Sequence, residues 1–216
     1  MILFIWDFHG VLEKDNEKGV MIISNEVLKL AGFKEELSEE DNEKFLGLKW
    51  YQYFENLIPR LSYEECLKLQ SDCLEYSRNH PEILPNHIKA NDHAIEVLDK
   101  IAKSGNKQII ISNTRPNDLI WFLETIDIGK FFDEESSIGV NAHQTHASKI
   151  DAAKSYIANK KIDKIIVIGD SESDLELGRS IGAVNYFYKH PHRKHEPTQK
   201  ADYITNDLRD VLKELI

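Results

Sequence analysis

The chain has little of what marks secreted, membrane-spanning or nucleic-acid-binding proteins. Among its 216 residues are only two cysteines, Cys66 and Cys73. They stand about two turns apart in a segment of helical periodicity, too far to bridge within that helix. Basic residues number 27 against 37 acidic ones, which gives a formal net charge of −10. Because phosphate backbones and anionic surfaces reward clustered lysine and arginine, we expect no nucleic-acid or membrane partner.

Long apolar runs are also missing. No stretch approaches the ~18 consecutive apolar residues of a membrane-spanning helix. The opening run, Ile2 to Trp6, is interrupted by Asp7, and it is too short for the apolar part of a signal peptide. We therefore expect a cytoplasmic protein, which agrees with the scarcity of cysteine. With 41% hydrophobic residues, the chain can bury one substantial core and a small accessory domain.

Residues 15–84 differ in pattern from the rest of the chain. Apolar residues such as Phe45, Tyr53 and Leu57 recur there at roughly helical spacing. Ser62 and Glu65 have the spacing of a capping box at the beginning of a helix. No strand of clear period is present in this segment. The pattern predicts a helical domain inserted after the first strand.

The remaining residues alternate between strand and helix patterns. Ile2 to Trp6 is an apolar run without alternation, which is typical of a central strand covered on both faces. Two more apolar runs, Gln108 to Ser112 and Lys164 to Ile168, are separated by helical periodicity. Strands that alternate with helices predict an α/β protein with a doubly wound parallel sheet, formed by residues 1–14 and 85–216.

Polar residues occur where three of these strands end. Asp7 follows the first strand, Ser112 and Asn113 lie at the end of the second, and Asp170 follows the third. Open α/β sheets bind their ligands at the carboxyl ends of the strands. Asp7 is therefore a candidate nucleophile or metal ligand, and the competing interpretation is an aspartate that caps a turn.

This pattern resembles the haloacid dehalogenase-like (HAD) superfamily of aspartyl-phosphate phosphatases. The resemblance covers nearly the whole chain and depends on four short motifs in the order of the family. They contain Asp7, Ser112, Lys149, and the pair Asp170 and Asp174. It implies a Rossmann-like core, with residues 15–84 as the helical cap that closes over the active site.

The resemblance implies a role for each motif. Asp7 would attack the phosphorus of a small phosphorylated metabolite and form an aspartyl-phosphate intermediate. Ser112 and the backbone of Asn113 would donate hydrogen bonds to phosphate oxygens. Lys149, at a loop-to-helix junction, would pair with Asp7 and neutralise charge in the transition state. The competing interpretation is that Lys149 is a solvated lysine on a helix face. Lys154 is the nearest alternative candidate for the lysine of this motif.

A divalent cation completes this scheme. Asp170 and Asp174 lie four positions apart across a predicted tight loop, so both can converge on one hard cation, and oxygen ligands suit Mg²⁺. In the family, the counterpart of Asp170 usually binds the metal, and the counterpart of Asp174 often acts through water. The nucleophile Asp7 and the backbone carbonyl at the position of His9 complete the implied ligand set. The competing interpretation is that both downstream acids cap the following helix.

His9 departs from the pattern of the family. Phosphatases of the superfamily normally carry a second aspartate at this position, which protonates the leaving oxygen. His9 either replaces it as general acid and base, since imidazole titrates near neutral pH, or marks its loss. Loss would fit a ligand-binding or regulatory protein, or a hydrolase that cleaves a phosphonate or a carbon–halogen bond. Asp170 and Asp174 favour the phosphatase, because halide displacement has no use for a metal-binding carboxylate pair.

Several other residues have two interpretations each. Lys49, in the predicted cap, is either a candidate residue for substrate recognition or an ordinary charged residue of the surface. Arg115 either contacts substrate or caps a loop. The histidine-rich run from Lys189 to His195, together with His143 and His146, lacks the set of converging ligands that zinc requires. We interpret these histidines as loop residues.

Overall fold

The computed structural model describes residues 1–45, 48–140, 148–190 and 197–215. The chain forms two compact units. We call Met1–Lys14 with Ala90–Ile216 the core unit, and Asp15–Lys89 the helical unit. Within the described ranges, none of the helices combines the length and the apolar character that crossing a lipid bilayer requires.

The core unit is built on a six-stranded sheet in which all neighbouring strands are parallel. The strands of the chain are β1 (Ile2–Trp6), β2 (Glu13–Lys14), β3 (Lys89–Ala90), β4 (Lys107–Ser112), β5 (Ser137–Gly139), β6 (Lys164–Gly169), β7 (Val184–Tyr188) and β8 (Tyr203–Thr205). In the large sheet the order is β5-β4-β1-β6-β7-β8. The predicted doubly wound α/β core is therefore confirmed.

Strand β1 lies inside the sheet because its side chains are apolar on both faces. Leu3, Phe4 and Trp6 are completely buried. Trp6 is paired with Ile110 of β4 on one side and with Ile168 of β6 on the other. The apolar run without alternation thus has the position that its composition predicts.

The connections between the strands change direction between β1 and β6. From β1 the connections lead to β4 and β5 on one side, and from β6 they lead to β7 and β8 on the other. Such a reversal opens a crevice at the carboxyl ends of the two strands. Asp7 directly follows β1, and Asp170 directly follows β6. The backbone N–H of Asp7 donates to the carbonyl of Ile168 at 2.9 Å, which ties the end of β1 to its neighbour.

The helical unit has the helices that its periodicity predicts. They are α1 (Asn16–Leu30), α2 (Glu39–Phe45), α3 (Trp50–Leu57), α4 (Tyr63–Asn79) and α5 (Ile83–His87). The capping box of α4 is confirmed: the N–H of Ser62 donates to the Glu65 carboxylate at 2.8 Å, and the N–H of Glu65 donates to the Ser62 hydroxyl at 3.3 Å. Leu37, Phe45 and Tyr53 form a buried apolar cluster in this unit.

The helices of the core unit cover the sheet. They are α6 (Ala94–Lys103), α7 (Pro116–Thr125), α8 (Lys149–Ile157) and α9 (Glu172–Ser180), with 3-10 helices at Gly129–Phe131, Glu134–Ser136 and Leu208–Leu215. The last of these 3-10 helices follows Asp207. The N–H of Arg209 donates to the Asp207 carboxylate at 2.9 Å at the beginning of this helix. Strands β5 and β8, of three residues each, are too short to show a periodic pattern and were not predicted.

Candidate active site

Three aspartates meet at the carboxyl ends of β1 and β6. One carboxylate oxygen from each of Asp7, Asp170 and Asp174 lies within 4.8 Å of the other two. Asp170 and Asp174 are buried, with 5% and 3% of their surface exposed. Ionised carboxylates that are this close together and buried away from water repel each other unless a cation lies beside them.

Lys149 supplies one such cation. Its Nζ donates to Oδ1 of Asp7 at 2.7 Å and to Oδ1 of Asp174 at 2.8 Å. Lys149 begins α8, and Ser148 caps that helix by accepting from the N–H of Asp151 at 3.1 Å. The structure thus directs the first lysine of the helix into the site, whereas Lys154, one turn further, is exposed.

The buried charges shift each other's protonation. Burial raises the pKa of Asp7, and the charge of Asp174 acts in the same direction, against the opposing effect of Lys149. Burial alone would lower the pKa of Lys149, but the charges of Asp174 and Asp7 outweigh it and raise that pKa. Lys149 is therefore held as an ammonium ion, and a further cation would favour the ionised form of Asp7.

Asp174 makes two kinds of contact. Its Oδ2 accepts from the backbone N–H of Ser171 at 3.2 Å and from the Ser171 hydroxyl at 2.5 Å. This is the capping contact at the beginning of α9, so the capping interpretation holds for Asp174. Its Oδ1 faces Lys149 in the site, so the same carboxylate serves the helix and the cluster together.

The donor set of this cluster fits a hard divalent cation. Three carboxylates and one ammonium leave a net charge of about −2 in a buried place, which a divalent ion neutralises. Carboxylate oxygens are the ligands that Mg²⁺ prefers. Asp7, Asp170 and Asp174 are the side chains that would hold it.

His9 lies beside this cluster with both ring nitrogens in contact with polar side chains. Nδ1 is 2.8 Å from Oε1 of Glu13, and Nε2 is 3.0 Å from Oγ1 of Thr114. Burial alone would lower the pKa of His9, but the hydrogen bond and charge of Glu13, with the charge of Asp7, raise it above its ordinary value. The imidazole is therefore oriented by its neighbours and favours the protonated form.

Ser112 is connected to His9 through Thr114. Ser112 ends β4 with 1% of its surface exposed, and its Oγ lies 2.9 Å from Oγ1 of Thr114. The N–H of Thr114 donates to the same Ser112 oxygen at 3.3 Å. Asn113 lies half-buried between these two residues. The loop after β4 therefore brings two hydroxyl groups and a backbone segment to the edge where Asp7 ends β1.

Sequence reasoning missed Glu13 and Thr114. Glu13 is an acid that directly follows the apolar pair Val11 and Leu12, and its 2% exposed surface shows that it belongs to the interior. A buried acid four positions after His9 was the available signal. Thr114 had no signal, because its contact with His9 joins residues 105 positions apart.

Arg115 belongs to the core unit and Lys49 to the helical unit, and several predicted histidines lie outside the described ranges. Arg115 precedes α7, and its guanidinium is held by Asp118, with Nε 2.6 Å from Oδ2, as in the loop-capping interpretation. Lys49 precedes α3 in the helical unit and is exposed. His143 and His146, and residues 191–195 of the histidine-rich run, lie outside the described residues.

Comparisons with known proteins agree with this geometry. A profile of the haloacid dehalogenase-like hydrolase family matches residues 4–187, whereas a search of curated proteins finds no significant match. A predicted phosphatase from Clostridium acetobutylicum superposes with a TM-score of 0.79 at 18% identity, over 99% of this chain and 97% of that one. A predicted phosphoglycolate phosphatase from Haemophilus somnus gives 0.79 at 17% identity, over 99% and 97%.

A haloacid dehalogenase-like family hydrolase from Streptococcus pneumoniae is similar in the same way. Its TM-score is 0.78 at 16% identity, over 99% of this chain and 98% of that one. At such identities the solved structures establish a shared fold. The family profile adds evidence from the sequence itself, because the matched residues include Asp7, Ser112, Lys149 and both downstream aspartates. The chain belongs to the haloacid dehalogenase-like hydrolase family.

Proposed function

We propose that the protein is a Mg²⁺-dependent phosphatase that hydrolyses a small phosphomonoester through an aspartyl-phosphate on Asp7. One observation carries the proposal: Lys149 joins Asp7 and Asp174 by hydrogen bonds of 2.7 and 2.8 Å, with Asp170 in the same cluster. A nucleophilic carboxylate needs a cation beside it to receive a phosphate dianion, and this cluster has one and can bind a second. The phosphatases among the similar folds support the same activity.

Asp7 is the nucleophile in this proposal. Its position after a central strand fixes the backbone, and Lys149 fixes one carboxylate oxygen. Attack on phosphorus by Asp7 releases the alcohol and leaves an acyl phosphate, which water then hydrolyses in a second displacement. Lys149 neutralises negative charge as it develops on the phosphoryl oxygens.

The metal ion has a specific role in the proposed mechanism. When bound, Mg²⁺ supplies a Lewis acid that screens the carboxylates from the phosphate and polarises a phosphoryl oxygen. Asp7, Asp170 and Asp174 would hold the ion, together with the backbone carbonyl of His9. Asp174 would also orient the site through its contacts with Lys149 and Ser171.

Phosphate oxygens are proposed to bind the loop after β4. The Ser112 hydroxyl and the backbone of Asn113 are the donors, and Thr114 fixes the Ser112 hydroxyl from the side. Arg115 follows this loop. Because its guanidinium is engaged by Asp118, Arg115 is proposed to contribute to substrate binding through the position of the loop.

His9 is proposed to act as the general acid and base. An imidazolium beside the site can protonate the leaving oxygen, and the resulting imidazole can then accept a proton from the attacking water. The raised pKa of His9 favours the acid form at the first step. The competing function, a binding or regulatory protein without turnover, is favoured by one observation, the absence of the usual aspartate at this position.

The helical unit is proposed to be the cap of the enzyme. In this proposal the cap excludes water and large substrates, so the substrate is a small phosphorylated metabolite. Lys49 is exposed at the beginning of α3. It is a candidate residue for recognition of the part of the substrate beyond the phosphate. Lys49→Ala is expected to raise KM for such a substrate and to leave kcat for p-nitrophenyl phosphate unchanged.

Hydrolysis of p-nitrophenyl phosphate tests the proposal. We expect turnover by the wild-type protein that requires Mg²⁺ and is lost in Asp7→Asn, while Asp99→Asn retains it. Asp99 is a suitable control because it is also a half-buried aspartate of the core unit, and its ion-pair partner is Lys103 on the same helix. Activity that persists in Asp7→Asn would contradict the aspartyl-phosphate mechanism. Binding of phosphate without turnover of any phosphomonoester would favour the binding protein.

A further inference from the structure

Glu13 is a buried acid that the phosphatase scheme does not account for, and it pairs with the half-buried His9. The turn after β1 folds back on itself: the N–H groups of Leu12 and Glu13 donate to the carbonyl of Phe8 at 3.0 and 3.2 Å. This turn brings the Glu13 carboxylate against the imidazole of His9, where Oε1 lies 2.8 Å from Nδ1. With 2% of its surface exposed, Glu13 is shielded from water.

The main chain fixes the position of this carboxylate. The same Oε1 also accepts from the N–H of Gly10 at 3.1 Å, and Gly10 has a φ of 77°, a conformation that glycine adopts most readily. Within the described residues, Oε2 of Glu13 meets no hydrogen-bond donor. A buried carboxylate with so few donors depends on each of them, so the contact with His9 is held in place.

The contact determines which nitrogen of His9 exchanges protons. A carboxylate accepts hydrogen bonds, so Nδ1 must carry a proton and donate it. Nε2 is then the nitrogen that can give or take a proton, and it points to the Thr114 hydroxyl, which is bonded to Ser112. The rings of Phe8 and Phe122 stand edge-on to the imidazole, with centroids 4.9 and 5.4 Å away, and they restrict rotation of the ring.

We propose that Glu13 is a positioning residue that locks His9 with Nδ1 protonated and leaves Nε2, which contacts the Thr114 hydroxyl, as the nitrogen that transfers a proton to the leaving-group oxygen of the substrate. This rests on the proposed phosphatase function. In effect, the pair Glu13 and His9 takes the place of the single aspartate that other phosphatases of the family use. Imidazole is a larger group with two possible tautomers, and the carboxylate removes that ambiguity. Proton transfer to poor leaving groups is therefore expected to depend on the side chain at position 13.

A comparison of two substrates separates this role from a structural one. p-Nitrophenol leaves without protonation, whereas an alkyl alcohol, as in glycerol phosphate, needs an acid. Glu13→Ala is expected to lower kcat on glycerol phosphate on the order of 10- to 100-fold, with KM nearly unchanged, and to lower kcat on p-nitrophenyl phosphate far less. Glu13→Gln, which keeps an acceptor oxygen for Nδ1–H, is expected to recover most of the loss.

The His9→Ala background supplies the matched control. If Glu13 acts through His9, Glu13→Ala adds almost no further loss in a protein that already lacks the imidazole. Equal losses on both substrates, or the same loss in the presence and absence of His9, would overturn the inference and leave a structural role for Glu13. These outcomes leave the phosphatase proposal intact as long as wild-type turnover requires Asp7.

Nuclear magnetic resonance gives a readout that needs no turnover. In protein with ¹⁵N-labelled histidine, the His9 signals are identified by their loss in His9→Ala. At a pH at which the ring is neutral, we expect protonated Nδ1 and unprotonated Nε2 in the wild type, and a mixture of tautomers in Glu13→Ala. A wild-type ring with protonated Nε2 would overturn the inference whether or not the protein is a phosphatase.

Discussion

The side chain of Asp174 packs against the α-carbon of Gly169. A β-carbon built on Gly169 would stand 2.1 Å from Cβ and 2.3 Å from Cγ of Asp174, far inside the ~3.5 Å of a carbon–carbon contact. The last residue of β6 is therefore glycine because the first turn of α9 must approach it. This close approach is what allows the Asp174 carboxylate to reach Lys149.

Gly169→Ala is expected to displace Asp174 and to disturb metal binding. The added methyl group pushes the Asp174 carboxylate away from Lys149, so the Mg²⁺ concentration needed for half-maximal activity should rise on the order of 10- to 100-fold. Gly129→Ala is the control, because a β-carbon there meets its nearest neighbour at 3.7 Å, an ordinary contact. An unchanged Mg²⁺ requirement in Gly169→Ala would show that Asp174 has no part in the metal site.

Lys149→Met is expected to abolish turnover and to destabilise the fold. Methionine keeps much of the side-chain volume but leaves Asp7 and Asp174 buried without their shared cation, which typically costs ~3–5 kcal/mol. Urea unfolding without metal measures this cost, and saturating Mg²⁺ should recover part of it. Lys154→Met, on the exposed face of the same helix, should match the wild type in both assays. Wild-type turnover by Lys149→Met would remove the lysine from the mechanism.

His9→Asp tests whether the residue usual in the family can replace the imidazole. The new carboxylate would face the buried Glu13, so two neighbouring like charges would repel each other. We therefore expect His9→Asp to hydrolyse glycerol phosphate slowly, and the double variant His9→Asp with Glu13→Gln to be faster because one charge is removed. Steady-state kinetics on both variants, with His9→Ala as the reference, measures the effect. If the double variant is no faster than His9→Asp, repulsion by Glu13 is not the reason for the loss.

Glu214 is expected to make part of the stability depend on pH. Burial alone would raise the pKa of Glu214, but the ion pair with Lys164 and the 2.7 Å hydrogen bond from the Tyr186 hydroxyl hold it below its ordinary value of 4.5. A group with a lowered pKa in the folded state stabilises the protein above 4.5, and that contribution is lost as the pH falls through the lowered value.

Urea unfolding of the wild type and of Glu214→Gln measures this dependence. The wild type should be more stable at pH 7, and the difference should shrink at acid pH, where Glu214 is protonated in both the folded and the unfolded chain. A difference that is the same at both pH values would show that the charge of Glu214 contributes nothing.

Local patterns predicted the elements that carry the site. The apolar run of β1 requires burial on both faces, so its position inside the sheet follows from composition. Asp7 and Asp170 follow from strand ends that share an edge. Ser62 and Glu65 form their capping box because both partners lie within one turn. Each of these contacts depends on residues that are near in sequence or on a rule that all parallel sheets obey.

By itself, the sequence determined the alternation of strands and helices, the inserted helical segment, and the polar residues at the ends of the strands. Only the tertiary structure decided that Lys149 binds Asp174 as well as Asp7, that Gly169 makes room for this arrangement, and that Thr114 faces His9. These relationships join residues up to 142 positions apart. No local pattern encodes such distances, because they depend on how several strands and helices pack at once.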